Sequence, residues 1–385
     1  MSYDLAPVAR IALVGVALAA VPLAWVWLRH RRTTPAQGLR ALTLVTLFLT
    51  FDLVLLGAFT RLTDSGLGCP DWPGCYGNAS PLGAQAQIDA AQSALPSGPV
   101  THGKAWIEMT HRYLATGVGV LITVLALMSW LQRKRIAVSP WWATATLAWV
   151  CLQGAFGALT VTMKLYPAIV TAHLLGGITL LALLAAQAQA YVPGPLPLPR
   201  RLYTTTLAVL ALSVLQVALG AWVSANYAVL ACTDFPTCQG SWWPAMDFER
   251  GFALRRELGQ DEHGEWLPFA ALTAIHYAHR LAAYVVLTAI ALLALRFIAQ
   301  PPLRKWGWAL AGLLVWQFAS GLANVVLGWP LLAAVAHTGG AAALVALLTV
   351  LVVWARQTGP PAATNQHAKG QLDAVRQSAP HLHAP

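Results

Sequence analysis

Five histidines, His111, His173, His276, His279 and His337, fall inside stretches apolar and long enough to cross a membrane. Ionisable groups there are costly and tend to mark function. His111 and His173 lie a few residues inside the ends of their stretches, roughly 6–9 Å deep at the helical rise per residue. His279 and His337 repeat that depth. Two imidazoles facing each other at one level can fill both axial positions of a haem iron. Zinc fits less well, because it needs a third or fourth ligand at the same point and only Glu108 is near the first pair. The alternative, that each histidine merely hydrogen-bonds across helices, is weakened by there being two pairs at matched depth. Ala115, Gly117 and Gly119, Gly176 and Gly177, and Gly339 and Gly340 are small residues near the histidines that would let a flat macrocycle lie between helices.

Glu108 stands three residues before His111 in EMTHR, on the same helix face and one turn nearer the outer surface. A carboxylate there could deprotonate a substrate or stabilise a cation. It could also be a solvated acid that favours the helix dipole. In HYAHR the corresponding residue is His276, so the two histidine pairs differ chemically.

Cys69 and Cys75 (CPDWPGC) and Cys232 and Cys238 (CTDFPTC) lie in two long polar segments. If these face an oxidising compartment, two local disulfides are expected. Their spacing is wider than C-x-x-C. A structural role leads, and reversible thiol oxidation that relays electrons stays open. Cys151, inside an apolar stretch, is expected to pack as a small apolar residue.

The elements that must position these groups are membrane helices. The chain is 57% hydrophobic and 10% charged, against roughly 25% charged residues in soluble domains. Apolar segments at 8–28, 41–60, 107–131, 141–162, 168–190, 203–226, 270–298, 305–328 and 331–355 are each long enough to span a hydrocarbon core of about 30 Å. The fold class is an all-α polytopic membrane protein. Arg29, Arg31, Arg32 and Arg40, then Arg133, Lys134 and Arg135, then Arg200 and Arg201, then Arg296, Arg304 and Lys305, and finally Arg356 occupy alternate connections. Those connections should be cytoplasmic, which puts the N-terminus outside and the C-terminus inside. The net charge of +10 therefore reports orientation and not nucleic-acid binding. The opening MSYDLAPVAR lacks the character of a mitochondrial presequence, so a bacterial plasma membrane is the simpler reading.

An internal repeat organises the spans. LGAFTRLTDSGLGCPDWPGC at 56–75 aligns without gaps to LGAWVSANYAVLACTDFPTC at 219–238, an offset of 163. HR at 111–112 matches 279–280, and the segment around 152–177 matches that around 316–340. The unit is four helices used twice, a parallel repeat with a pseudo-twofold axis along the membrane normal. This divides the chain into an extra N-terminal transmembrane helix (1–35), two tandem four-helix bundles (36–195 and 196–358) and a tail (359–385) whose composition predicts disorder.

With these motifs in order, the sequence resembles the haem A synthase family, in its cysteine-containing subtype. The resemblance rests on GAFTRLTDSGLGCPDWPGC, EMTHR, TAH, ACTDFPTC, HR and AH, across roughly 41–355. It implies oxidation of a methyl group of haem O to the formyl group of haem A for terminal oxidases. It implies that His111 and His173 bind the substrate haem with Glu108 as the essential carboxylate, and that His279 and His337 hold a permanent haem b. It also implies delivery of haem O by a haem O synthase, leaves room for a homo-oligomer, and names no electron partner. The extra helix and His276 depart from the pattern. A purely electron-carrying cytochrome b is the competing class, but such proteins commonly place haems at both membrane levels, whereas here both pairs lie at the outer level. A repeat-built transporter would need broken helices and polar midplane residues, which these spans lack.

Overall fold

The computed structural model describes residues 6–356. Along it run α1 (Ala6–His30), α2 (Pro35–Leu62), α3 (Gln85–Ala94), α4 (His102–Leu131), α5 (Pro140–Thr162), α6 (Pro167–Ala190), α7 (Arg200–Ala225), α8 (Phe248–Gly251), α9 (Phe269–Ile298), α10 (Arg304–Val326) and α11 (Leu331–Arg356). Among the described residues, nine helices are long and apolar enough to cross a membrane, one for each expected span, and α3 and α8 are short additions in the two long loops. The tail expected at 359–385 lies outside the described residues.

Local chemistry sets the helix starts. Thr34 caps α2 in a reciprocal box with Gln37, and Pro35 occupies the first turn, where no N–H is needed. Proline likewise opens α5 and α6. The buried hydroxyls of α2 are satisfied within the helix: Thr43, Thr46 and Thr50 donate to carbonyls four residues back, at 2.8, 2.8 and 2.7 Å. A polar side chain can therefore face a bundle interior without an unpaired donor.

Helices α2, α4, α5 and α6 pack in a ring, and so do α7, α9, α10 and α11. Each ring is solid at the end away from the long loops. Leu121, Ile122, Leu125 and Leu184 fill the first, and Leu293, Phe297, Leu310, Leu348 and Leu351 fill the second. The histidine level lies toward the other end. There His111, His173, His279 and His337 are only partly buried by protein. Helix α1 stands outside the first ring, seating Gly15 against Thr116 and Leu18 against Gly117 of α4.

The rings meet through α6 and α11, with α2 against α11 and α6 against α7. Ile178, Leu181, Ala342 and Val345 share one apolar cluster at this seam. At its loop end, Arg61 donates to the Ser224 carbonyl and lies 3.7 Å from the Tyr227 ring centroid. The Tyr227 hydroxyl donates to Asp64 at 2.7 Å. Both polar contacts join positions 163 apart, the offset of the sequence repeat.

Candidate functional site

Each ring brings two histidines together, one from each of two helices. His173 on α6 is within electrostatic reach of His111 on α4, and His337 on α11 stands in the same relation to His279 on α9. Each imidazole lies against a glycine of a neighbouring helix. A methyl group added to Gly57 would sit 3.0 Å from Cε1 of His111, and one on Gly157 would sit 3.4 Å from Cε1 of His173. The distances are 2.9 Å for Gly220 and His279, and 3.0 Å for Gly321 and His337. A larger residue would force the ring to turn.

The small residues expected to flank a macrocycle mostly do something else. Gly117 receives α1, Gly176 receives the Gln153 side chain, Gly177 faces Val54, Gly339 faces Leu55, and Gly340 receives Trp316 and Gln317. They let helices approach closely, the common use of small residues in membranes. The four glycines that do meet the imidazoles carried a signal in the repeat, since Gly57 aligns with Gly220 and Gly157 with Gly321.

Around the rings the bundles diverge. Gln216 Nε2 lies 3.0 Å from Nδ1 of His279 and 3.0 Å from its carbonyl oxygen. Ser320 Oγ lies 3.0 Å from Nδ1 of His337. In the first bundle, Nδ1 of both His111 and His173 is buried without a hydrogen-bond partner.

Above the histidines, each long loop is fastened to its bundle by the arginine of the HR pair. Arg112 donates to the carbonyls of Asp71 (2.9 Å), Pro73 (3.2 Å) and Gly74 (2.5 Å). Arg280 does the same to Asp234 (2.9 Å) and Thr237 (2.6 Å). Within the loops, the Asp71 carboxylate accepts the N–H groups of Tyr76 and Gly77, both at 2.6 Å. Asp234 accepts those of Gln239 (2.7 Å) and Gly240 (3.0 Å). The Thr237 hydroxyl and these amides hold the Asp234 carboxyl down to about 2. Its bonds therefore persist above the ordinary carboxylate range and are lost only as pH falls toward that value. Disulfides close both loops, Cys69 to Cys75 and Cys232 to Cys238.

Glu108 is 4% exposed, which does not match a solvated helix-end acid. Its Oε2 accepts the Cys69 N–H at 2.8 Å and its Oε1 takes Arg112 at 2.5 Å. His276, in the corresponding place, is also buried, and its Nδ1 lies 3.0 Å from the Ala228 carbonyl. The acid meets a loop N–H at Cys69 and the imidazole meets a C=O at Ala228, so the two helices are tied to their loops at different loop positions and with opposite hydrogen-bond polarity. Cys151 is exposed on α5 and does not pack inward as expected.

Among the described residues no three His, Cys, Asp or Glu side chains converge as metal ligands. Two imidazoles per bundle, cradled by glycine, fit an iron that brings four equatorial nitrogens of its own in a porphyrin.

The cytochrome oxidase assembly protein family matches this chain over residues 40–349. A haem A synthase of Shewanella oneidensis is 39% identical over 322 residues, covering 80% of this chain and 93% of that protein. The chain belongs to the haem A synthase family. The haem A synthase of Halalkalibacterium halodurans is 26% identical over 296 residues (74% of this chain, 86% of its own length). That of a Bacillus cereus strain is 27% identical over 316 residues (78% and 88%). Helix α1 lies before the segment that the family matches. The two disulfides agree with the cysteine-containing members of the haem A synthase family. Peptide mapping without reduction should recover Cys69–Cys75 and Cys232–Cys238 as linked peptides. Free alkylation of all four thiols in native membranes would contradict both bridges.

Proposed function

We propose that this protein oxidises a methyl group of haem O to the formyl group of haem A. The observation that carries this reading is the pair of two-histidine sites in a haem A synthase family chain, only one of which has a buried carboxylate one turn above it. His111 and His173 hold the substrate, haem O. His279 and His337 hold haem b, which when bound supplies a one-electron redox centre. Glu108 is the proton acceptor on the substrate side. With water as the oxygen source, a methyl group reaches the aldehyde level by two two-electron oxidations, through an alcohol and a hydrated aldehyde that loses water; each gives two electrons to an external acceptor and releases two protons. A carboxylate kept out of bulk solvent, with one oxygen on an amide and the other on a guanidinium, is positioned to take them.

The surrounding assignments belong to the same reading. The bundles comprise 36–195 and 196–358, preceded by the extra helix within 1–35 and related by a pseudo-twofold axis. Support comes from the recurring glycine–histidine contacts and from the contacts between positions 163 apart at the seam. The charge distribution favours a bacterial plasma membrane with the N-terminus and disulfide loops outside. Haem O would come from a haem O synthase, and the apolar helix surfaces leave room for a homo-oligomer.

Extraction of haem from the purified protein tests the function. Haem O, its alcohol or haem A should accompany haem b. Haem b alone, from cells that make haem O, would instead indicate an electron-carrying cytochrome.

A further inference from the structure

The two sites use the same ligand type and the same glycine cradle, yet one must keep its haem while the other must exchange substrate for product. Iron ligation through Nε2 leaves the imidazole proton on Nδ1, and a partner for that proton fixes both tautomer and ring orientation. His337 has one in Ser320, whose Oγ lies 3.0 Å from Nδ1 and donates its own proton to the Trp316 carbonyl at 2.7 Å. His279 is held from the same side by the Gln216 amide, whose Nε2 lies 3.0 Å from Nδ1 and 3.4 Å from Nε2 of the ring. The amide is tied in place by the bond that its Nε2 donates to the His279 carbonyl oxygen at 3.0 Å.

The repeat shows what stands at these places in the first bundle. Gln216 is four residues before Gly220, and Leu53 is four before Gly57. Ser320 immediately precedes Gly321, and Phe156 immediately precedes Gly157. Leu53 and Phe156 can accept no proton, in keeping with the buried, unpartnered Nδ1 atoms of His111 and His173. Both ligands of one bundle thus have a side-chain partner and both ligands of the other lack one.

We propose that Ser320 and Gln216 are positioning residues that lock the second bundle's imidazoles and make its haem resident, while Leu53 and Phe156 leave the first bundle's imidazoles free to turn and release their haem. The proposal rests on the assignment of haem b to His279 and His337. A free ring leaves the iron at a lower barrier than one held by a neighbouring side chain, so turnover at one site and retention at the other follow from four side chains outside the ligand set.

The test uses the purified holoprotein in detergent and follows transfer of haem b to excess apomyoglobin by absorbance, with low-spin electron paramagnetic resonance as a second readout. Ser320→Ala and Gln216→Leu should each speed haem b loss about 10–100-fold, the usual effect of removing a partner of a metal-bound histidine, and should shift the low-spin g values. Ser320→Thr, which keeps the acceptor, should restore both. Phe156→Ser should slow haem loss from the first bundle. Unchanged loss rates and g values in Ser320→Ala and Gln216→Leu would overturn the proposal, as would failure of Ser320→Thr to rescue. None of these readouts depends on haem A production. A protein that makes no haem A but shows these changes would refute the synthase reading alone, and one lacking low-spin haem b altogether would refute the ligand assignment.

Discussion

Glu108→Gln should keep a full complement of haem b while haem A production falls by about 100-fold or more, the lower end of what a positioned proton acceptor contributes. Glutamine preserves size and can still accept the Cys69 N–H, so the join between α4 and the disulfide loop survives. It cannot take a proton, and it cannot neutralise Arg112, which lies within 2.5 Å of the carboxylate. Unconverted haem O or its alcohol should accumulate in the extract. The haem b spectrum is the internal control for folding, because the site proposed for haem b is in the other bundle. Normal haem A output from a stably expressed Glu108→Gln protein would remove Glu108 from catalysis and leave it a fastener of the loop.

His279→Ala and His337→Ala should each abolish the low-spin haem b spectrum, since a single axial imidazole cannot give bis-histidine ligation. The loss should be close to complete. Ser320 keeps its bond to the Trp316 carbonyl in His337→Ala, and Gln216 keeps its bond to the backbone carbonyl of residue 279 in His279→Ala. Protein abundance and intact disulfides in these variants would separate loss of ligation from loss of fold. An unchanged haem b spectrum in both variants would refute the assignment of the pair.

The nine spans, the long loops and the cysteine pairs were legible because each depends on a local quantity: apolar length, charge, or two thiols six residues apart. The four histidines were legible because the repeat compares the chain with itself. Which glycines face them was not legible, since proximity in sequence pointed to Gly117, Gly176 and Gly340, whereas the cradle comes from other helices. Helix rotation decides that, and rotation follows from packing around the whole ring. The Glu108 and His276 exchange was visible as a difference in type. Its meaning needed the loop backbone, because only the fold shows an N–H above one side chain and a C=O above the other. Arg112 and Arg280 stand out in the sequence only as repeat landmarks, since their partners are loop carbonyls that no residue type advertises.

The polar seam at Arg61, Asp64, Ser224 and Tyr227 bears on ancestry. Under the proposed symmetry, equivalent positions meet at the axis. In an assembly of two identical four-helix subunits, Arg61 would approach its own copy and Asp64 likewise, an isologous contact in which every residue must tolerate itself. Like charges would then be apposed in the first unit's sequence. A single fused chain lifts that restriction: Arg61 meets a carbonyl and a tyrosine ring, and Asp64 meets a hydroxyl. Fusion of a duplicated gene thus permits a heterodimer-like contact inside one polypeptide. A severed first half should pair with a severed second half and not with another copy of itself.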